Sequence, residues 1–174
     1  MGQRKTAGYT VIELAITCAV ALVLIAVALP LIGTTMENHR LNGAVRRLMS
    51  DTRDARSKAV SFRWQYRIFG YGDTSGTRPN QYRIEGRTGT TAFPAPSTDG
   101  PFKTATQEAG LWVNLPGEYA AIRVNPGGAA TFEVIFDEAG SVTSALSAIT
   151  IQRGTGDSRT LQPYRPGYVK CTNC

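Results

Sequence analysis

A nineteen-residue apolar run, residues 14–32, follows a single carboxylate, Glu13, and a short basic leader that contains Arg4 and Lys5. A run of this length meets the ~20 residues that cross a bilayer at about 1.5 Å per residue. The two basic residues ahead of it keep the N-terminus cytoplasmic by the positive-inside rule, and everything after Ile32 then lies on the other side. Glu13 is the anomaly. An ionised side chain costs ~2.5–3.5 kcal/mol at the centre of a membrane helix and less near an interface. Downstream, no Lys or Arg appears until Arg40. A cut between Gly8 and Tyr9 supplies a counter-charge, because it creates an α-amino group four residues upstream of Glu13.

Two simpler readings compete with processing at Gly8. An ordinary secretory signal has a shorter apolar core and ends in an Ala-x-Ala-like site, whereas here Leu31-Ile32-Gly33-Thr34 leads straight into polar sequence. A plain single-pass anchor accounts for the run but gives Glu13 no role.

Gly8-Tyr9-Thr10-Val11-Ile12-Glu13 and the apolar run together resemble the prepilin signal of type IV pilins and type II secretion pseudopilins. That resemblance implies cleavage between Gly8 and Tyr9 by a prepilin peptidase and N-methylation of Tyr9. It assigns Glu13 to assembly, paired with the Tyr9 amine of an adjacent subunit, and places Pro30 where many pilins carry a helix-kinking proline. Tyr9 stands where the family usually has Phe, so an aromatic ring is kept. The implied location is the bacterial inner membrane, single pass, with a periplasmic C-terminal domain. The implied partners are other pilin or pseudopilin subunits.

Beyond Ile32, Leu41, Val45, Leu48, Thr52, Ala55, Ala59 and Phe62 recur at alternating four- and three-residue spacing, which draws one apolar stripe along a helix. Arg47 with Asp51 and Asp54 with Lys58 form i,i+4 pairs on other faces. The spacing predicts a helix over about 9–60, kinked or briefly unwound at Pro30. The basic residues along it are interrupted by acids and read as a solvated face rather than a nucleic-acid stripe.

After Ala59 the period changes to two. Phe62, Trp64, Tyr66 and Ile68 alternate with Arg63, Gln65 and Arg67, as in a half-buried strand. Further strands are expected at 81–85, 111–115, 119–124, 130–136, 148–153 and 168–170, separated by turn sequences such as Asn125-Pro126-Gly127-Gly128. Residues 86–110 are rich in Gly, Thr, Pro and Ala and read as a long mobile surface loop. The expected fold is α+β: a leader at 1–8, a long N-terminal helix, transmembrane over about 14–32, and an antiparallel sheet or sandwich domain over 61–174.

The helix end, with its Ala55-Arg56 pair, and Phe136-Asp137-Glu138-Ala139-Gly140 resemble the Ala-Arg and Phe-Asp-x-x-Gly patterns of the GspH/FimT pseudopilins and minor pilins. This implies a low-abundance structural subunit of a pseudopilus or type IV pilus. Some FimT-like proteins bind DNA through a Gly-Arg-x-Arg motif near the C-terminus. Gly167-Tyr168-Val169-Lys170 stands there in this chain, without either arginine. Arg159, Arg165 and Lys170 remain as phosphate contacts for the alternative, a DNA-binding minor pilin acting in DNA uptake.

Net charge is +6; removing Arg4 and Lys5 with the leader leaves 17 basic against 13 acidic side chains, or +4. That balance tolerates anionic partners without requiring them. Of three cysteines, Cys18 lies in the apolar run as a small packing residue, while Cys171 and Cys174 close the chain. Outside the cytoplasm a small-ring disulfide is favoured there over free thiols. The lone histidine, His39, and the absence of nucleophile-elbow, phosphate-loop or metal-ligand spacing predict no enzyme, no cofactor and no metal.

Overall fold

The computed structural model describes residues 10–89, 93, 102–103, 106–144, 147–154 and 156–174, without side chains at 28–34 and 102–103. The chain divides into two compact units, Met1–His39 and Arg40–Cys174. Helix α1, Val11–Phe62, contributes to both. Gly8 and Tyr9 lie outside the described residues.

In the first unit the helix begins at a cap. The Thr10 hydroxyl accepts the Glu13 N–H at 3.3 Å, which satisfies one of the free donors of the first turn. All described side chains from Val11 to residue 27 are exposed, Val11, Leu14, Ile16, Leu22 and Leu24 among them at 58% or more. The helix is unbroken through Pro30, so the unwound stretch offered as one outcome there is not adopted. Among the described residues no helix is long and apolar enough to cross a membrane. The span expected at 14–32 includes residues 28–32, whose side chains lie outside the description.

The second unit is built on the other half of α1. Leu41, Val45, Leu48, Thr52, Ala55 and Ala59 are buried, as their spacing predicts. Phe62 departs from that stripe: it ends the helix 57% exposed, and its ring lies against Trp64 and Tyr66, with centroids 6.5 Å apart in both cases. The strands β1 (Gln65–Tyr71), β2 (Gln81–Arg87), β3 (Phe102–Lys103), β4 (Gln107–Ala109), β5 (Val113–Asn114) and β7 (Thr131–Phe136) form one antiparallel sheet, ordered β3-β4-β2-β1-β7 with β5 beside β2. A second antiparallel sheet orders β10 (Val169–Thr172), β9 (Ser158–Pro163), β8 (Ile149–Arg153) and β6 (Ile122–Asn125). Both sheets feed one core with the helix, through Tyr66, Ile68, Val134 and Phe136 from the first and Ile122, Val124, Ile151 and Leu161 from the second. Asn80 ties them together: its side-chain carbonyl accepts the Val124 N–H at 2.6 Å.

Three sequence expectations are corrected. Residues 86–110 are not loop throughout, because β2 runs on to Arg87 and β3 and β4 pair antiparallel within the segment. Backbone pairing decides there, not apolar periodicity. The strand expected at 111–115 is cut short by α2, Leu115–Glu118, which Asn114 caps by accepting the Gly117 N–H at 3.2 Å, and the one expected at 119–124 begins only at Ile122, after a turn. Strand β1 is not half-buried, because Arg67, on the face opposite Tyr66 and Ile68, is itself only 4% exposed. Its partners explain this. Glu85 on the neighbouring strand accepts its Nε at 2.5 Å, and the Phe93 ring covers its guanidinium at 4.6 Å. The expected i,i+4 pairs form as read, Arg47–Asp51 at 3.2 Å and Lys58–Asp54 at 2.9 Å.

Candidate functional site

Among the described residues no group of three or more His, Cys, Asp or Glu is placed to hold a metal ion.

The strongest joint brings together two of the sequence patterns. Arg56, on the last turns of α1, donates from Nε to the Gly140 carbonyl and from a terminal nitrogen to the Pro166 carbonyl, each at 3.1 Å. Gly140 closes the Phe136–Gly140 turn, in which the Asp137 carboxylate accepts the N–H groups of Ala139 and Ser141 at 3.0 and 2.7 Å. Pro166 belongs to the β9–β10 turn. One guanidinium thus fixes both turns to the helix, and its charge strengthens both bonds. The next residue, Gly167, sits at φ +86°, and a Cβ there would collide with the Gly140 carbonyl oxygen. Glycine is demanded twice, by conformation and by space. In the sequence Gly167 stands out only as part of a possible DNA motif; its packing role is what the pattern did not reveal.

The three cations named for DNA contact do not share a patch. Register pairs Cys171 with Leu161 and Lys170 with Gln162. Side chains alternate along a strand, so Arg159 leaves the sheet on the Leu161 side and Lys170 on the opposite side. Arg165 is exposed in the turn between them, beside Ser141, Thr143 and Ser144. The rings of Tyr164 and Tyr168 stack on each other at 4.8 Å. Cys171 and Cys174 are joined by a disulfide, and Cys18 is a free, exposed thiol.

Glu13 is exposed and carries the capping contact to Thr10 through its backbone. Two phenols elsewhere titrate far from their usual range. Burial, then the hydrogen bond to Asp51 at 2.6 Å, pushes the Tyr82 hydroxyl up. Burial, then a 2.6 Å bond to Glu108, does the same to Tyr66.

No protein-family model matches the chain, and no curated protein matches it. Among solved structures it is similar to the type IV minor pilin FimU of Pseudomonas aeruginosa, with a TM-score of 0.51 and 18% identity over 79% of this chain and 92% of that one. A second crystal form of the same protein gives a TM-score of 0.46 at 17% identity. The fold is type IV pilin-like: an N-terminal helix with antiparallel sheets packed along it.

Proposed function

We propose that this chain is a minor structural subunit of a type IV pilus or type II secretion pseudopilus, and that its work is assembly rather than catalysis. One observation carries the reading. The same helix uses a single apolar stripe over 41–59 yet is exposed on every side over 11–27, where nearly every residue is apolar. A helix apolar all round has to be covered by lipid or by other helices. The likeness to a minor pilin supports a filament as the place where that cover is found.

In this reading a prepilin peptidase cuts between Gly8 and Tyr9, and Tyr9 is N-methylated. The subunit waits in the inner membrane with residues 61–174 in the periplasm. Moving into the filament, it packs its helix on neighbouring subunits, and packing with little difference in polarity leaves specificity to polar contacts. Glu13, paired with the Tyr9 amine of an adjacent subunit, is that contact. The test is an intact mass on protein extracted from host membranes, expected to lack residues 1–8 and to carry one added methyl. Protein that still starts at Met1 or Gly2 would sink the reading and leave a tethered domain. A DNA-capturing role is not favoured by the placement of Arg159, Arg165 and Lys170; retention of DNA at low salt, lost on neutralising Arg165 with Lys170, would revive it.

A further inference from the structure

Strand β10 forms one edge of the second sheet, and the ladders beside it fix where its backbone groups point. The Tyr164 N–H donates to the Tyr168 carbonyl at 2.9 Å, one pair beyond Pro163–Val169 in the same register. Bonded and unbonded pairs alternate along an antiparallel ladder, so Val169 and Cys171 turn their N–H and C=O groups away from β9. The β8–β9 ladder agrees. There the Arg153 N–H donates to the Asp157 carbonyl at 3.0 Å, a phase that turns the backbone of Leu161 toward Ile149 and away from Cys171. Among the described residues nothing bonds these outward groups of Val169 and Cys171. Other edges are tied off by the chain itself: Asn80 and Asp73 bond the Val124 N–H and C=O on β6, and Ser144 and Thr143 bond those of Ile135 on β7.

The open edge runs beside a groove of about 510 Å³ whose other wall is α1. Met49, Val60, Val169 and the half-exposed Tyr168 make it largely apolar. Arg53 and Arg56 are the charged residues of its lining, with no acid among them. Arg56 is engaged by the Gly140 and Pro166 carbonyls, whereas the exposed Arg53 has no partner among the described residues. The edge is short. Asn173, at φ +62°, turns the chain after Thr172, and the Cys171–Cys174 disulfide closes on the strand.

We propose that this groove takes an extended segment of a different, neighbouring subunit as an added strand beside β10, with an acidic side chain set against Arg53. The occupant is an extended backbone because it offers N–H and C=O groups at the repeat that Val169 and Cys171 present; a helix has its own already bonded. Every second side chain of the added strand faces Met49 and Val60, and the unmatched Arg53 selects a carboxylate beside them. So short a strand is a small contact by itself. It acts between subunits already held at high effective concentration by their helices, and in that respect it rests on the filament reading above. A different subunit fits that reading, because a minor component meets unlike neighbours.

The test uses the full-length chain expressed in its host, with the photo-crosslinking residue p-benzoylphenylalanine in place of Ser57, which is exposed and lines the groove. The expected product is an adduct to a different pilin-type subunit, mapped to a non-helical segment that carries Asp or Glu. Val169→Pro removes an N–H that the β9 ladder does not use and should cut the adduct several-fold. Val169→Ala keeps that N–H and should leave most of the adduct. Arg53→Glu should also cut it several-fold, and Arg53→Lys should not. Should Val169→Pro melt well below the parent, the Arg53 pair decides. An adduct confined to the partner's helix, an adduct to a second copy only, equal loss in Val169→Pro and Val169→Ala, or no adduct overturns the added strand. Fractionating the same cells reads assembly separately. Incorporation without the edge-dependent adduct leaves the filament reading standing and removes this contact; the edge-dependent adduct without incorporation does the reverse.

Discussion

Gly167 is the residue whose identity the structure constrains most tightly. Its φ of +86° and its contact with the Gly140 carbonyl leave no room for a side chain. Gly167→Ala should cost upward of ~1–3 kcal/mol from backbone strain alone, with the clash added, and a thermal melt of the full chain in detergent should show it. Arg56→Ala should cost ~1–3 kcal/mol, chiefly for the Gly140 carbonyl, because the bond to Pro166 is exposed and water replaces it; Arg56→Lys should recover only part, because an ammonium does not reproduce the planar fork. Glu13 poses a different question at the same scale. Its place three residues after Thr10 matches a helix capping box, so loss of assembly in Glu13→Ala has two explanations. Glu13→Gln separates them, since glutamine serves the box but carries no charge. Incorporation should fail in both variants if the charge is what matters, and incorporation of Glu13→Gln at the normal level would assign Glu13 to the cap instead.

Among the elements, the pairing of β1 with β2 shows what alternation can hide. Glu85 is 4% exposed and bridges two buried arginines, Arg67 and Arg83, while the Trp112 ring lies 4.7 Å from the Arg83 guanidinium. Neutralising it takes from two buried arginines a counter-charge they share, although Arg67 keeps Glu133 at 3.5 Å, so Glu85→Gln should destabilise the domain by up to about 3–5 kcal/mol in chemical denaturation. Alternate residues on this strand pair were legible as a face, but not as a covered face, because the cover comes from Phe93 and Trp112, outside both strands. The helix stripe was legible down to Ala59 because one period runs through it without interruption. Strand β9 was not, since Ser158–Pro163 alternates weakly and its partners are set by register with β8 and β10. The joint at Arg56 was legible only as two separate patterns, with nothing in the chain to say that they touch. Where helix meets sheet, Tyr66 and Tyr82 give a pH signature. Their folded pKa values lie above the unfolded value of ~10, so protonated phenols stabilise the fold fully below that pH and the stability is lost as pH rises beyond it. Denaturation midpoints should be set by these phenols only above pH ~10, and Tyr82→Phe should flatten the fall there.

For the whole molecule, the two units make opposite demands on solvent. Arg40–Cys174 encloses its own core, with Leu41, Leu48, Tyr66, Phe136 and Ile151 at or below 1% exposure. Met1–His39 includes the helical stretch whose described apolar side chains are all exposed. A fragment of residues 34–174 keeps the whole buried stripe from Leu41 onward and discards the exposed run, so it should fold cooperatively and sediment as a monomer without detergent. The full chain should need detergent or helical neighbours to stay dispersed, because apolar area left in water costs roughly 25 cal/mol per Å². Sedimentation velocity on both forms is the measurement. A fragment that aggregates or melts without cooperativity would mean that the domain draws stability from residues before Thr34. Association of the fragment at the concentration used would place a contact between copies within residues 34–174 and not on the apolar run before them.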